Sequence, residues 1–262
     1  MQKFILRYSF VNKSKLILAL SFWTVFMIFM LQFSACEKAI PAPKPVNETS
    51  TMRDRDGNVY KTVKIGNQWW MAENLLVKTY RNGDSIHFVP SAVDWQNTTA
   101  ACCINSSITY GLLYNGYAVV DSRNIAPEGW HIASDEEWKT LEMNLGMAKL
   151  SADSITWRGA SEADKMKKPK LVAGNGGYDW YNSDDLFTVW PNNESGFTAL
   201  PGGCRIFNGN PGSPGAQFTA YFWSSTLNNS ELWYRNLDYR KSKVFRFYVE
   251  KRYGFSVRCV KD

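Results

Sequence analysis

Between Arg53 and Leu75, Val59, Lys61, Val63 and Ile65 stand at alternate positions, with Asp56-Gly57 ahead of them and Gly66-Asn67 behind, before Trp69-Trp70-Met71. Period-two alternation punctuated by turn dipeptides predicts a hairpin of short strands. The same alternation returns near the carboxy terminus in WYRNLDY, VFRFYVE and YGFSVRCV. A helical period replaces it most clearly where Trp138, Leu141 and Leu145 fall on one face. Ser134 with Glu137 three residues on makes a capping box, Asp135 and Glu136 suit the positive end of the helix dipole, and Gly146 stops the run. This predicts a helix over about 135–146. A shorter helix is expected over 162–168, capped by Ser161 and ended by Pro169. The stretch TYGLLYNGYAVV, residues 109–120, fits either a strand or a short buried helix. Helices in the middle with strands at both ends predict an α+β fold, a single domain over 53–262 with long loops.

Ahead of this domain the pattern is of another kind. Residues 16–31, LILALSFWTVFMIFML, form an uncharged apolar run behind Lys3, Arg7, Lys13 and Lys15, and Phe33-Ser34-Ala35-Cys36 follows. A basic lead, an apolar run and small residues before a cut predict a secretory signal over 1–35. Its ending resembles a bacterial lipobox, with Cys36 as the lipidated first residue of the mature chain; an uncleaved transmembrane anchor is the alternative. The prolines of AIPAPKPVNETSTM make 36–52 a semi-extended tether. The expected location is therefore extracytoplasmic, on a membrane-anchored lipoprotein held in the bilayer by its amino-terminal anchor, at the outer membrane or cell surface.

The formal charge of +6 loses its meaning once located. Four of the 30 Lys and Arg precede the apolar run and none of the 24 acids does, so the remainder carries only +2, and nucleic acid is not expected as a partner. The chain has no GxSxG, HExxH or CxxC pattern, and His131, next to Trp130, reads as a structural histidine. No enzyme activity and no cofactor are expected. Calcium is weighed for Asp179, Asp184, Asp185, Asn192, Asn193 and Glu194, which supply hard oxygen ligands but at spacings that also suit a solvated loop. Besides Cys36 there are Cys102, Cys103, Cys204 and Cys259. Bridging adjacent cysteines strains the chain, so Cys102 or Cys103 is expected to pair with Cys204 or Cys259, with free buried thiols as the alternative.

Six segments occur in an order that resembles the Fibrobacter succinogenes major paralogous domain, common in lipoproteins of Bacteroidetes and Fibrobacteres: DGNVYKTVKIGNQWWMAENL, YGLLYN with YAV, APEGWHIASDEEWKTLE, SGFTALPGGCR, FWSST and YGFSVRCVKD. The resemblance implies one C-type-lectin-like domain with its first and last strands brought together and loops displayed on one side. It implies no established catalytic residue. Gly116 stands where the family often has Trp, which suggests an emptier core or groove there, and Cys204 where it often has an aromatic. GFSVRCV is also similar to the closing strand of the formylglycine-generating group, so an oxidase is a weighed alternative, although that group's cysteine pair is not recognisable here.

The 11 Trp, 13 Tyr and 15 Phe, set beside amides, suit stacking on flat ligands. The expected function is a non-enzymatic binding module for glycans or cell-surface polymers, with adhesion to a surface protein as the rival class. Trp180, Tyr181, Trp190, Asn228, Asn229, Trp233, Tyr234 and Arg235 are the expected ligand-binding residues. Within 195–226 the hallmark pieces SGFTALPGGCR and FWSST are expected to be scaffold, with Phe222 and Trp223 in the core.

Overall fold

The computed structural model describes residues 47–169, 180, 191–212 and 218–262. The first strands are β1 (Thr49–Arg53), β2 (Val59–Ile65), β3 (Gln68–Met71) and β4 (His87–Phe88). The middle holds α1 (Ala92–Asn97), β5 (Ala101–Cys103), a 3-10 turn (Ile108–Tyr110), β6 (Leu113–Asn115), α2 (Gly116–Val119) and β7 (Trp130–Ile132). Then come α3 (Asp135–Asn144), α4 (Lys149–Asp153), β8 (Thr156–Arg158) and α5 (Glu162–Met166). The chain closes with β9 (Thr219–Asn228), β10 (Glu231–Asp238), β11 (Val244–Val249), β12 (Gly254–Phe255) and β13 (Cys259–Lys261).

Among the described residues three sheets result, in the orders β1-β2-β3-β13-β7, β8-β11-β10-β9 and β12-β6-β5-β4. The expected hairpin is β2–β3, turning at Gly66, whose positive φ of 60° suits glycine and whose missing Cβ leaves room for the Asn144 side chain. Strand pairing starts earlier than expected. Residues 49–52, expected to be tether, and Arg53 pair along β2 from Thr49↔Val63 to Arg53↔Val59. The Asn47 amide also donates to the Glu194 and Ser195 carbonyls, which extends the folded part to residue 47.

The five-stranded sheet is covered on both faces, because successive side chains point to opposite sides. One face sends Met71, Ile132 and Cys259 into a core with Tyr60, Tyr114, Trp223 and Phe255. The other sends Val63, Trp70 and Val260 into a second core. There Trp70, Trp138, Phe197 and Phe222 meet ring to ring at centroid distances of 5.0 to 5.8 Å, in tilted and edge-on geometries that favour aromatic pairs. Phe222 and Trp223 are both fully buried, as expected of FWSST, and Trp223 Nε1 donates to the Tyr114 carbonyl at 2.8 Å.

The capping box of α3 is complete in both directions, and Trp138, Leu141 and Leu145 are buried. Ser161 stands at the start of α5, but its side chain makes no cap bond, and the helix ends at Met166. In 109–120 both alternatives occur in succession, β6 then α2. Around Gly116 the expected emptier space is absent: its N–H donates to the Lys251 carbonyl at 2.7 Å, and a Cβ would lie 2.8 Å from Lys251 Cα. The close approach of a second backbone fills the space a larger residue would need.

Two arginine centres join these parts. Arg258, wholly buried, donates from Nε to Asn74 Oδ1 (2.6 Å), from Nη1 to the Met71 and Phe197 carbonyls (2.7 Å each) and from Nη2 to the Thr198 carbonyl (3.1 Å). It thus fastens SVRCV to WWMAEN and SGFT. Burial pushes its guanidinium pKa down to about 9. The second centre lies between α3 and the sheet β8-β11-β10-β9. Arg235 reaches Glu142 Oε1 and Asp135 Oδ1, both at 2.7 Å, and Arg246 Nη2 reaches Asp135 Oδ2 at 2.7 Å. Arg158 Nη2 stands 2.7 Å from Glu142 Oε2, near enough for an ion pair though not aligned as a hydrogen bond. Burial lowers the Arg158 pKa to about 10 against the opposing pull of Glu142.

Candidate binding site

Among the described residues, the expected ligand residues do not converge. Trp180 is buried, its Nε1 donating to the Ala199 carbonyl at 3.0 Å with Lys167 Nζ 5.3 Å from the ring centroid. Asn228 and exposed Asn229 stand at the β9–β10 turn, with Asn229 at a φ of 56°. Trp233, Tyr234 and Arg235 are consecutive on β10, so the strand sends the outer two to the face that Tyr234 leaves. Trp233 packs under the Arg246 guanidinium at 3.7 Å and edge-on to Tyr248. Tyr234 packs on Tyr221 and Phe255 across the sheet, and Arg235 is fully buried between two carboxylates. Arg235 is therefore a structural ion-pair partner, where the sequence suggested a surface guanidinium. Tyr181, Trp190, Cys36, Asp179, Asp184 and Asp185 lie outside the described residues. Asn192 and Asn193 spend their amide oxygens on the N–H groups of Glu194 and Thr198.

The cysteines follow the alternative reading. Cys102, Cys103, Cys204 and Cys259 are all free and buried, with no bridge among them. Neighbouring positions on β5 send Cys102 into the first core and Cys103 to a separate cluster with Val89 and Trp95, so the two lack a common partner. Burial pushes the Cys102 and Cys204 thiols up to about 12, and those of Cys103 and Cys259 upward as well. His131 is held at both ring nitrogens, Nδ1 2.7 Å from Asp262 Oδ1 and Nε2 2.6 Å from Glu137 Oε1. Burial alone would lower its pKa, but these bonds outweigh it and hold the ring above its ordinary value.

What does converge lies on the five-stranded sheet. Trp69 on β3 and Trp130 on β7 flank Lys261 on β13, since Val260 pairs with both Trp70 and His131 and Lys261 with Trp130. Together with Ser50, Thr51 and Met52 of β1 and Thr62 of β2 they line a groove of about 200 Å³. It combines indole surface, hydroxyls and an ammonium on rigid strands. That volume is below the range of roughly 300–1,000 Å³ common for drug-sized ligands, so it suits one small unit of a larger molecule.

Residues 63–261 match the model of the Fibrobacter succinogenes major domain. The chain belongs to this family. No curated protein and no solved structure matches it. In this Fibrobacter succinogenes major domain the matched span begins within β2 and takes in β3, β7 and β13 whole, whereas β1, one wall of the groove, precedes it. Trp69 and Trp130 stand within the segments that carry the family resemblance; period two separates Trp69 from Trp70, which is fully buried while Trp69 is half-buried. No local pattern reveals that Lys261 stands between Trp69 and Trp130 on the sheet, because strand order decides it.

Proposed function

We propose that the chain is a non-enzymatic, extracytoplasmic binding module anchored in a membrane through lipid on Cys36, with a glycan or similar surface polymer as its ligand. The observation that carries this reading is the Trp69–Lys261–Trp130 groove with its hydroxyls from β1 and β2. Sugars present an apolar ring face and a rim of hydroxyls, which indole surfaces and small polar side chains complement. The basic lead, apolar run and Ser34-Ala35-Cys36 support the anchor. The pairing of β3 with β13, which joins the first and last parts of the domain, supports a C-type-lectin-like architecture. Against the oxidase alternative stand four buried thiols whose raised pKa values disfavour a reactive thiolate.

The test is binding of the full chain, in detergent micelles, to a broad glycan array, followed by calorimetry on the hits. Trp69→Ala is expected to weaken binding about tenfold and Lys261→Ala to weaken it less, with unchanged melting temperature for the latter. Absence of any glycan hit would overturn the ligand class. Intact mass of the membrane-extracted protein is expected to show a lipidated Cys36 at the amino terminus; an unmodified Met1 would overturn the anchor.

A further inference from the structure

The groove does not end at β1. Where Met52 closes it, Arg53 begins a second, larger cleft of about 470 Å³, lined by Arg53, Arg55 and Arg81, with Thr79 and Glu128 and a floor that includes Ile125 and Pro127. The two spaces are lined by neighbouring residues. Met52 and Arg53 are chain neighbours on β1, Glu128 and Trp130 lie two residues apart, and Arg81 Nη2 donates to the carbonyls of Pro127 and Trp130.

The cleft's charges are unbalanced in a specific way. Arg53, Arg55 and Arg81 are exposed, and among the described residues none is ion-paired with a carboxylate. Arg53 Nη1 donates to the Gly57 carbonyl at 2.7 Å and Arg55 Nη1 to the Arg81 carbonyl at 3.0 Å. A guanidinium carries five N–H donors, so both keep most of theirs. Asp54, which lines the cleft, is turned inward, accepting from the Asn58 backbone N–H (2.9 Å), the Asn58 amide (2.8 Å) and the Tyr60 hydroxyl (2.5 Å), and Asp56, beside Arg55, accepts from the Lys78 N–H and the Thr79 hydroxyl. Glu128 is left exposed as the lining carboxylate that faces solvent.

Three like-charged forks held on backbone carbonyls around one concavity attract an oxyanion, and the planar fork matches the two oxygens of a carboxylate or sulfate group. The apolar floor and the exposed Glu128 carboxylate suit the ring and hydroxyls that carry that group. We infer that this cleft is a subsite for the acidic group of an anionic saccharide, a uronate carboxylate or a sulfate ester, whose neighbouring unit lies in the Trp69–Trp130 groove. This rests on the glycan reading above and specifies its charge and its direction along the sheet edge.

Calorimetry with the full chain would use an oligogalacturonide, a sulfated galacto-oligosaccharide, the neutral galacto-oligosaccharide and sodium sulfate. One or both acidic oligosaccharides are expected to bind at least about tenfold more tightly than the neutral one, with affinity falling as salt rises. Arg53→Gln and Arg55→Gln are expected to remove most of that advantage without changing the melting temperature or the affinity for the neutral sugar. Arg81 is left intact because it braces the 126–130 segment. Which acidic probe binds identifies the group. Equal binding of acidic and neutral oligosaccharides, or sulfate alone binding as tightly as either acidic sugar, would overturn the inference while leaving the glycan reading in place. Binding of none of the oligosaccharides would remove the glycan reading itself, and this inference with it.

Discussion

A single ring, His131, shows how side-chain chemistry here is committed to the frame. Its two nitrogens face Asp262 and Glu137, and the far oxygen of Glu137 is engaged by the Ser134 N–H and hydroxyl that cap α3. The protonated ring satisfies both acids, so its folded pKa exceeds the unfolded value of about 6.5. The sign follows: a raised pKa means that the folded state binds the proton more tightly. The stability it contributes is complete below about pH 6.5 and is lost as pH rises through the raised folded value. Urea midpoints measured from mildly acid to alkaline pH are expected to decline over that window, and His131→Gln is expected to flatten that part of the profile; an unchanged profile would count against the assignment. Arg258 has the same character without a carboxylate, holding three segments through carbonyls and one amide.

Helix α3 carries two messages on one cylinder. Its apolar stripe and capping box were legible in the sequence because both are local, set by spacings of three and four residues. Asp135 and Glu142 look, by type, like solvent-facing charges, yet both are buried against arginines of β10 and β11 and, for Glu142, of β8. The β10 and β11 partners are 93 to 111 positions away and Arg158 lies beyond the helix on another strand, so no local pattern announces them. Removing one member leaves buried charge unpaired. Glu142→Gln is therefore expected to cost about 3–5 kcal/mol in denaturant unfolding, most of it from stranding Arg158 and Arg235; a loss under about 1 kcal/mol, the scale of an exposed pair, would contradict this burial. The same locality explains why the β2–β3 hairpin was readable, while Trp233 and Tyr234, adjacent in the sequence, were read as one surface though β10 sends them to opposite sides.

At the scale of the whole molecule, two aromatic cores on either side of one sheet leave the thiols deep inside. Cys102, Cys103, Cys204 and Cys259 are expected to be silent towards a thiol reagent in the native protein and to react together on unfolding; rapid labelling of any of them in the native state would contradict the packing. The groove on the five-stranded sheet belongs to this scale too, since Trp69, Trp130 and Lys261 meet only when the sheet is complete. The position of β13 sets when that occurs. Strand Cys259–Lys261 is wedged between β3 and β7, two strands made much earlier. A chain emerging amino end first cannot close this sheet until those late residues arrive, and pairings of such long sequence separation form slowly. The polypeptide must therefore wait, with Trp70 and Met71 still lacking their neighbouring strand, until translation has delivered Arg258 and the strand behind it. Until then neither the closed sheet nor the groove on it exists, so loss of Cys259–Lys261 would take the groove with it.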